Sequence, residues 1–130
     1  MSLLGGIDNT ERLDALKGVV YNGANPTNLE EFSREIDETL RLAPTESMIL
    51  GYRGWIRFKQ GRIEEGIKDY SMAAELGDAY SQFQHGQQLF YGVPPSLTPN
   101  RNQGLLWITK AAERGDEAAK QFLKQVGEKQ

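Results

Sequence analysis

The sequence contains no cysteine and only one histidine, His85. Without cysteine the chain forms no disulfide and offers no thiolate to a metal, and a single imidazole leaves little for histidine-based chemistry. No phosphate-binding glycine loop and no grouping of nucleophile, base and metal ligands is recognisable. The sequence therefore predicts no enzymatic activity, no cofactor and no metal site. The lack of cysteine is also compatible with a reducing compartment, and we expect a cytoplasmic location.

The chain also lacks a long apolar run and an excess of positive charge. No stretch approaches the roughly 18 apolar residues that a membrane span needs. The 15 basic and 18 acidic side chains give a net charge of −3, the wrong sign for a dedicated nucleic-acid-binding protein. We therefore expect neither a membrane span nor a nucleic-acid partner. A chain of 130 residues fits one domain, which buries about two thirds of the surface that the unfolded form exposes.

The most informative feature that is present is an internal repeat. Residues 73–78 read AAELGD and residues 111–116 read AAERGD, 38 positions later, and Gly66 and Gly104 match in the same register. A period between about 20 and 50 residues is typical of stacked-repeat proteins, in which each unit needs its neighbours to cover its apolar face. A binding scaffold is therefore the leading interpretation.

Apolar residues at helical spacing, separated by turn-forming residues, predict seven helices and no sheet. Pro44 ends the second helix, and three prolines exclude a helix from residues 93–100. Thr45, Asp78 and Asp116 are expected to cap the helices that follow them. The helices are expected at about 10–22, 28–43, 46–60, 62–76, 79–91, 101–114 and 117–127.

Short turns between consecutive helices predict a row of antiparallel helical hairpins. Small residues are expected where two helices approach closely, because a larger side chain would hold the backbones apart. These residues are Gly54, Gly66, Ala73, Gly86, Gly104 and Ala111.

Residues 47–80 resemble a tetratricopeptide repeat, and residues 79–115 resemble the related Sel1-like repeat more strongly. The first resemblance depends on Leu50, Gly54, Gly66, Tyr70 and Ala73. The second depends on Gly86, Gly92-Val93-Pro94, Trp107, Lys110-Ala111-Ala112-Glu113 and Gly115. Residues 13–46 are similar to a degenerate first repeat, on the basis of Leu16, Val20, Phe32, Ile36 and Pro44.

The resemblance implies an all-α, right-handed superhelix forming one domain over residues 1–130. Its parts would be a degenerate repeat (13–46), a tetratricopeptide-like repeat (47–78), a Sel1-like repeat (79–115) and a terminal capping helix (116–127). Arg53, Arg57 and His85 depart from the family, which usually has apolar or aromatic groups at these places. The family mostly binds peptides or partner helices in a concave groove, and it has no catalytic residues to carry over.

The first helix of each hairpin lines that groove in the family. The resemblance therefore implies partner contacts along one face of three helices. The candidate contact residues are Lys17, Tyr21, Met48, Tyr52, Trp55, Lys59, Phe83, Gln87 and Tyr91. Aromatic side chains there would give a partner rigid contact area. An equally good interpretation of Tyr52 and Trp55 is that they bridge adjacent helices within the core.

Other candidate sites have more ordinary explanations. The basic run Arg53, Arg57, Lys59 and Arg62 would suit an acidic peptide, but pairing with acids such as Glu64, Asp69 or the acidic first repeat is favoured. His85 is expected between helices rather than on a ligand. The proline loop (residues 93–99) is either a recognition edge or a tolerated insertion.

The sequence thus favours a non-enzymatic adaptor that binds a protein or peptide partner, which is acidic if the basic run contributes. The alternative is a structural or oligomerising repeat segment of a larger protein or complex. An enzyme is a distant third interpretation.

Overall fold

The computed structural model describes residues 29–128, together with the isolated position Asp14. Within residues 29–128 it contains six helices and no strand. They are α1 (Leu29–Leu42), α2 (Ser47–Lys59), α3 (Ile63–Glu75), α4 (Ala79–Tyr91), α5 (Arg101–Glu113) and α6 (Glu117–Glu128). The all-helical prediction is confirmed. The helix predicted at about 10–22 lies outside the described residues, as do Lys17 and Tyr21.

Helix boundaries follow the capping residues that the sequence supplies. Asp78 accepts a hydrogen bond from the Ser81 amide at 3.0 Å, and Asp116 accepts one from the Ala119 amide at 2.8 Å. Both predicted caps are confirmed. The prediction for Thr45 is wrong: Glu46 precedes α2, and its side chain makes no capping bond. Thr45 lies in the turn one residue too early to reach the first free amides of the helix.

Three glycines close the turns between helices. Gly61, Gly77 and Gly115 have φ values of 79°, 102° and 97°. Residues that carry a Cβ rarely adopt positive φ values. Each of these glycines comes directly after the last turn of a helix, so the chain reverses within a few residues. This reversal produces the antiparallel hairpins that the sequence predicts.

Each described hairpin is closed by a pair of facing glycines. A Cβ added at Gly54 would lie 3.1 Å from the Gly66 carbonyl oxygen, and one at Gly86 would lie 2.9 Å from the Gly104 carbonyl oxygen. The helices therefore approach closely at these four positions. Ala73 and Ala111 are fully buried nearby in sequence, which confirms the predicted small-residue contacts.

Two apolar clusters fill the interior. The first joins α1, α2 and α3, and the second joins α4, α5 and α6. In α1 the apolar residues Phe32, Ile36 and Leu40 recur every four residues, so they lie on one face and are buried together. Helices α2 and α4 also contact each other directly, which places the first helices of the two hairpins side by side.

The terminal helix α6 covers the end of the second cluster. Phe122 packs its ring against Phe83, with centroids 6.0 Å apart. Lys120, Lys124 and Gln125 on the same helix are exposed, so the helix is apolar inside and polar outside. This pattern is the one expected of a capping helix. None of the helices in residues 29–128 is long and apolar enough to cross a membrane.

Candidate partner-binding groove

An open groove of about 420 Å³ lies between α2 and α4. We call it the partner groove. Helix α2 supplies Trp55 and Phe58, Tyr70 of α3 also contributes, and the rest comes from α4 and the chain that follows it. The lining residues are Trp55, Phe58, Tyr70, Gln84, Gln87, Gln88, Tyr91, Gly92 and Val93. None of these side chains carries a charge, and three of them are amides.

Helical spacing puts the polar lining on one face of α4. Gln84, Gln87, Gln88 and Tyr91 are separated by three, one and three residues, so they follow successive turns. The side-chain amide oxygen of Gln88 lies 3.3 Å from the Nδ1 atom of His85. The side-chain amides of Gln84 and Gln87 have no hydrogen-bond partner among the described residues. Their amides are therefore available to a bound molecule.

Trp55 forms the aromatic side of the groove and touches the core beneath it. Its ring meets that of Tyr52 edge-on, with centroids 5.3 Å apart, and it packs against the first apolar cluster. The Lys59 ammonium lies 5.1 Å from the centroid of the Trp55 ring, in cation–π geometry. Trp55 is thus held from below and from one end, which limits the rotamer freedom it would lose on binding.

Tyr70 is the most enclosed aromatic of the lining. Its side chain is nearly fully buried, and its ring is 5.8 Å from that of Phe58. Burial, and to a smaller extent the neighbouring Tyr80, raises the pKa of Tyr70 above its ordinary value. The phenol is therefore neutral at physiological pH, and the groove stays uncharged there.

The structure brings together only part of the predicted contact set. Trp55, Gln87 and Tyr91 line the partner groove, and Tyr91 is 63 % exposed. Lys59 lies at the rim over Trp55. Met48 is half-buried and is not part of the lining.

Tyr52 and Phe83 are buried in the core, at 7 % and 9 % exposure. Tyr52 packs against Phe32, with ring centroids 5.8 Å apart. Tyr52 also contacts the Trp55 ring, whereas Phe83 packs against Phe122 of α6. A role of either residue in direct partner contact stays a prediction, as it does for Lys17 and Tyr21 outside the described residues.

Sequence reasoning missed several lining residues. Gln84 and Gln88 share the helical face of Gln87, so their spacing could have identified them. In the sequence Tyr70 stands out only as part of the tetratricopeptide-like motif, and Val93 only as part of the Sel1-like motif and of the proline loop. These two come from other elements, and helical spacing within α2 or α4 does not identify them.

The basic run on α2 is paired within the chain. Arg53 donates from Nε and Nη2 to both carboxylate oxygens of Asp69 at 2.9 Å, and its Nη1 donates to Asp37 at 3.1 Å. Arg57 donates to the same Asp69 carboxylate at 2.8 Å. Burial opposes the charge of Arg53, but Asp69 and Asp37 outweigh it and raise the pKa of Arg53. The predicted pairing with Asp69 and the acidic first repeat is confirmed.

Arg62 is also paired, through its Nε donating to Glu65 at 3.0 Å. Of the four bases in this run, three therefore have carboxylate partners, and Lys59 has the Trp55 ring. The run therefore has fewer unpaired positive charges for an acidic peptide than the sequence indicates.

His85 lies between helices, as predicted. It is 7 % exposed, and its ring is 6.0 Å from that of Trp107 in an edge-on arrangement. Burial lowers the pKa of His85, while the Gln88 hydrogen bond and the charge of Glu75 oppose that shift. Among the described residues no group of three or more histidine, aspartate or glutamate side chains could hold a metal ion.

The proline loop is held against α4. Val93 and Leu97 exchange two backbone hydrogen bonds of 2.8 and 2.9 Å, and the Asn100 amide donates to the Leu89 carbonyl at 2.6 Å. The segment is non-helical, as predicted. Val93 of this loop and the preceding Gly92 form one wall of the partner groove.

Comparison with solved structures identifies the fold. The chain is similar to the crystal structure of a Sel1 repeat protein from Oxalobacter formigenes, with a TM-score of 0.64 and 19 % sequence identity. The match covers 86 % of this chain and 46 % of that one. The chain has a Sel1-like helical repeat fold. It spans about half the length of that Sel1 repeat protein. No protein-family model and no curated protein matches the sequence.

The Sel1-like fold explains the arrangement of the groove. It stacks α-helical hairpins into a superhelix, and here α2 and α4 are the first helices of two neighbouring hairpins. The partner groove lies where two hairpins meet.

Proposed function

We propose that this chain is a non-enzymatic adaptor that binds a segment of another protein in the partner groove. One observation carries the proposal: the groove combines exposed aromatic surface with amide side chains that have no partner in the described chain. Rigid aromatic side chains are typical anchors at protein interfaces, because they offer large contact area at small entropic cost.

The proposal is tested by capturing a partner from the source cell and titrating it against two variants. Trp55→Ala should weaken binding by about 30-fold or more, as truncating an interface anchor typically does. Lys59→Ala should weaken it much less, and only that effect should fade as salt is added. Circular dichroism establishes that each variant is folded, and Leu106→Ala, an exposed change on α5, is the matched control. A folded Trp55→Ala chain with normal affinity would move the site elsewhere, most simply to the proline loop.

A stacking module is the second candidate. Exposed apolar side chains on the helices favour it, since Leu42, Met72 and Leu76 are 45 %, 49 % and 43 % exposed. In this role the chain would pair with further repeats rather than hold a peptide. Sedimentation at increasing concentration distinguishes the two, because an adaptor stays monomeric and a stacking module associates.

A further inference from the structure

We infer that the partner groove selects an uncharged peptide segment in extended conformation, with one aromatic or large aliphatic side chain seated against Trp55. The inference rests on the proposed function, and it names the chemistry of the partner. It follows from the charges around the groove, from the spacing of its amides and from its aromatic wall.

The charge distribution disfavours a charged segment. None of the nine lining residues is ionised. Arg53 and Arg57 are committed to Asp69, which is 4 % exposed and satisfied by both guanidinium groups. A partner carboxylate in the groove would lose water without gaining a buried cation, which is costly. Lys59 at the rim can meet an acid only outside the groove.

A positively charged segment is disfavoured for a related reason. Aromatic faces can attract a cation, but the Lys59 ammonium already lies over Trp55 and would repel a second one. No carboxylate lines the groove to compensate that repulsion. The groove is thus matched to a neutral segment.

The spacing of the amides favours an extended backbone. Gln84 and Gln88, four residues apart on α4, are separated by about 6 Å along the helix axis. An extended peptide presents its N–H and C=O groups to one side every second residue, or about 6.6 Å. The Gln84 amide can both donate and accept, whereas Gln88, whose oxygen is held by His85, can donate from its amide nitrogen to a peptide carbonyl. A helical peptide satisfies its own backbone and would leave Gln84 and Gln87 unpaired.

The apolar wall supplies a seat for one side chain. Trp55, Phe58 and Val93 stand around the space that the amides face. Burying an apolar side chain there is favourable in proportion to the apolar surface removed from water. The amides then determine the backbone path, and the aromatic wall determines which residue anchors the segment.

A displayed random peptide library tests the inference on the full chain. The immobilised wild-type chain selects peptides, and the Trp55→Ala chain removes those that bind elsewhere. We expect the remaining peptides to share an uncharged central segment with one aromatic or large aliphatic residue. Central acidic or basic residues in peptides that depend on Trp55 would overturn the inference and leave the proposed function standing. Peptides that bind both chains equally would contradict the proposed function itself.

A selected peptide then tests the role of the amides. Gln87→Ala should weaken its binding by about 3- to 10-fold, the effect of one lost hydrogen bond, and this loss should not depend on salt. Gln121→Ala, an exposed change on α6, should have no effect and is the matched control. Methylating every second backbone amide of the peptide should weaken binding for the set of amides that faces the groove, and not for the alternate set. Unchanged affinity for the Gln87 variant, or a peptide that becomes helical on binding, would overturn the extended conformation.

Discussion

The hairpins α2–α3 and α4–α5 share one backbone contact and differ in the side chains beside it. Gly54 faces Gly66 in the first, and Gly86 faces Gly104 in the second. The first helices are related by 32 residues and the second helices by 38. The spacing of 38 in the sequence repeat is therefore the spacing of the second helices. The same close approach is kept in both hairpins.

In this register an ion pair in one hairpin corresponds to a ring contact in the other. Arg53 corresponds to His85, and Asp69 corresponds to Trp107. The first pair is bidentate and partly buried, whereas the second packs edge-on with centroids 6.0 Å apart. We call these contacts the charged seam and the aromatic seam. The same backbone geometry accepts either one, because the glycines set the distance between the helices. The neighbouring side chains then fill the remaining space.

The two hairpins also supply different kinds of side chain to the groove. Trp55 of the first corresponds to Gln87 of the second, and Lys59 corresponds to Tyr91. The loop at residues 92–100 is six residues longer than that at 60–62, which accounts for the difference between 32 and 38. The extra chain begins with Gly92 and Val93, which form one wall of the groove. An insertion that leaves the helix contact unchanged contributes to the site.

Removing the acid of the charged seam should have the largest effect. Asp69→Asn keeps the size of the side chain but removes the buried carboxylate that Arg53 and Arg57 share, and leaves them only the exposed acids Asp37 and Glu65, which should lower the free energy of unfolding by about 3 kcal/mol. Trp107→Leu, at the corresponding position of the aromatic seam, should cost less because no charge is stranded. Urea denaturation measures both. Equal losses would mean that the ion pair adds nothing specific to the first hairpin.

Adding a methyl group at one of the facing glycines should cause a smaller loss of stability. A Cβ at Gly104 would lie 2.6 Å from the Gly86 carbonyl oxygen and 2.7 Å from the Phe90 amide nitrogen. Neither backbone atom can move aside, so Gly104→Ala should destabilise the chain by about 1–2 kcal/mol despite the better helix propensity of alanine.

Gly66→Ala is the matched change in the first hairpin. Its added Cβ would lie 2.6 Å from the half-buried ring of Phe58, which can shift, and 3.0 Å from the Gly54 carbonyl oxygen, a longer backbone contact than the two at Gly104. We expect a smaller loss than for Gly104→Ala in the same thermal or urea denaturation experiment. A larger loss for Gly66→Ala would contradict the close backbone approach in the second hairpin.

The smallest expected effect is on the pH dependence of stability. Burial lowers the pKa of folded His85, so the unfolded chain binds the proton more readily. The contribution of neutral His85 is therefore complete above the ordinary pKa of about 6.5 and is lost as the pH falls below it. The denaturation midpoint should decline through this range. His85→Gln should decline less steeply, and an identical slope would show that other groups cause the effect.

The sequence predicted helix positions well and the groove only in part. Asp78, Gly77 and Gly115 act through local backbone chemistry, so their effect is readable from a few residues. Tyr52 and Trp55 share one helical face, yet only Trp55 reaches the groove, because the packing of α1 on α2 determines which ring is covered. That packing depends on distant residues such as Phe32.

The pairing of the basic run shows the same limit. Arg53 and Arg57 are close to Asp69 only after α2 and α3 form a hairpin. A run of bases in sequence therefore indicates a charged surface less reliably than it indicates a helix. Whether acids of the same chain reach the run is settled by tertiary structure.

Binding in the partner groove is tested most directly by a nuclear magnetic resonance titration of the labelled chain with a partner segment. We expect the resonances of the Trp55 indole N–H and of the Gln84 and Gln87 side-chain amides to shift together as partner is added, while those of the outer residues of α6 do not. Shifts confined to the proline loop beyond Val93, or to the exposed face of α3 at Met72 and Leu76, would contradict binding in the partner groove.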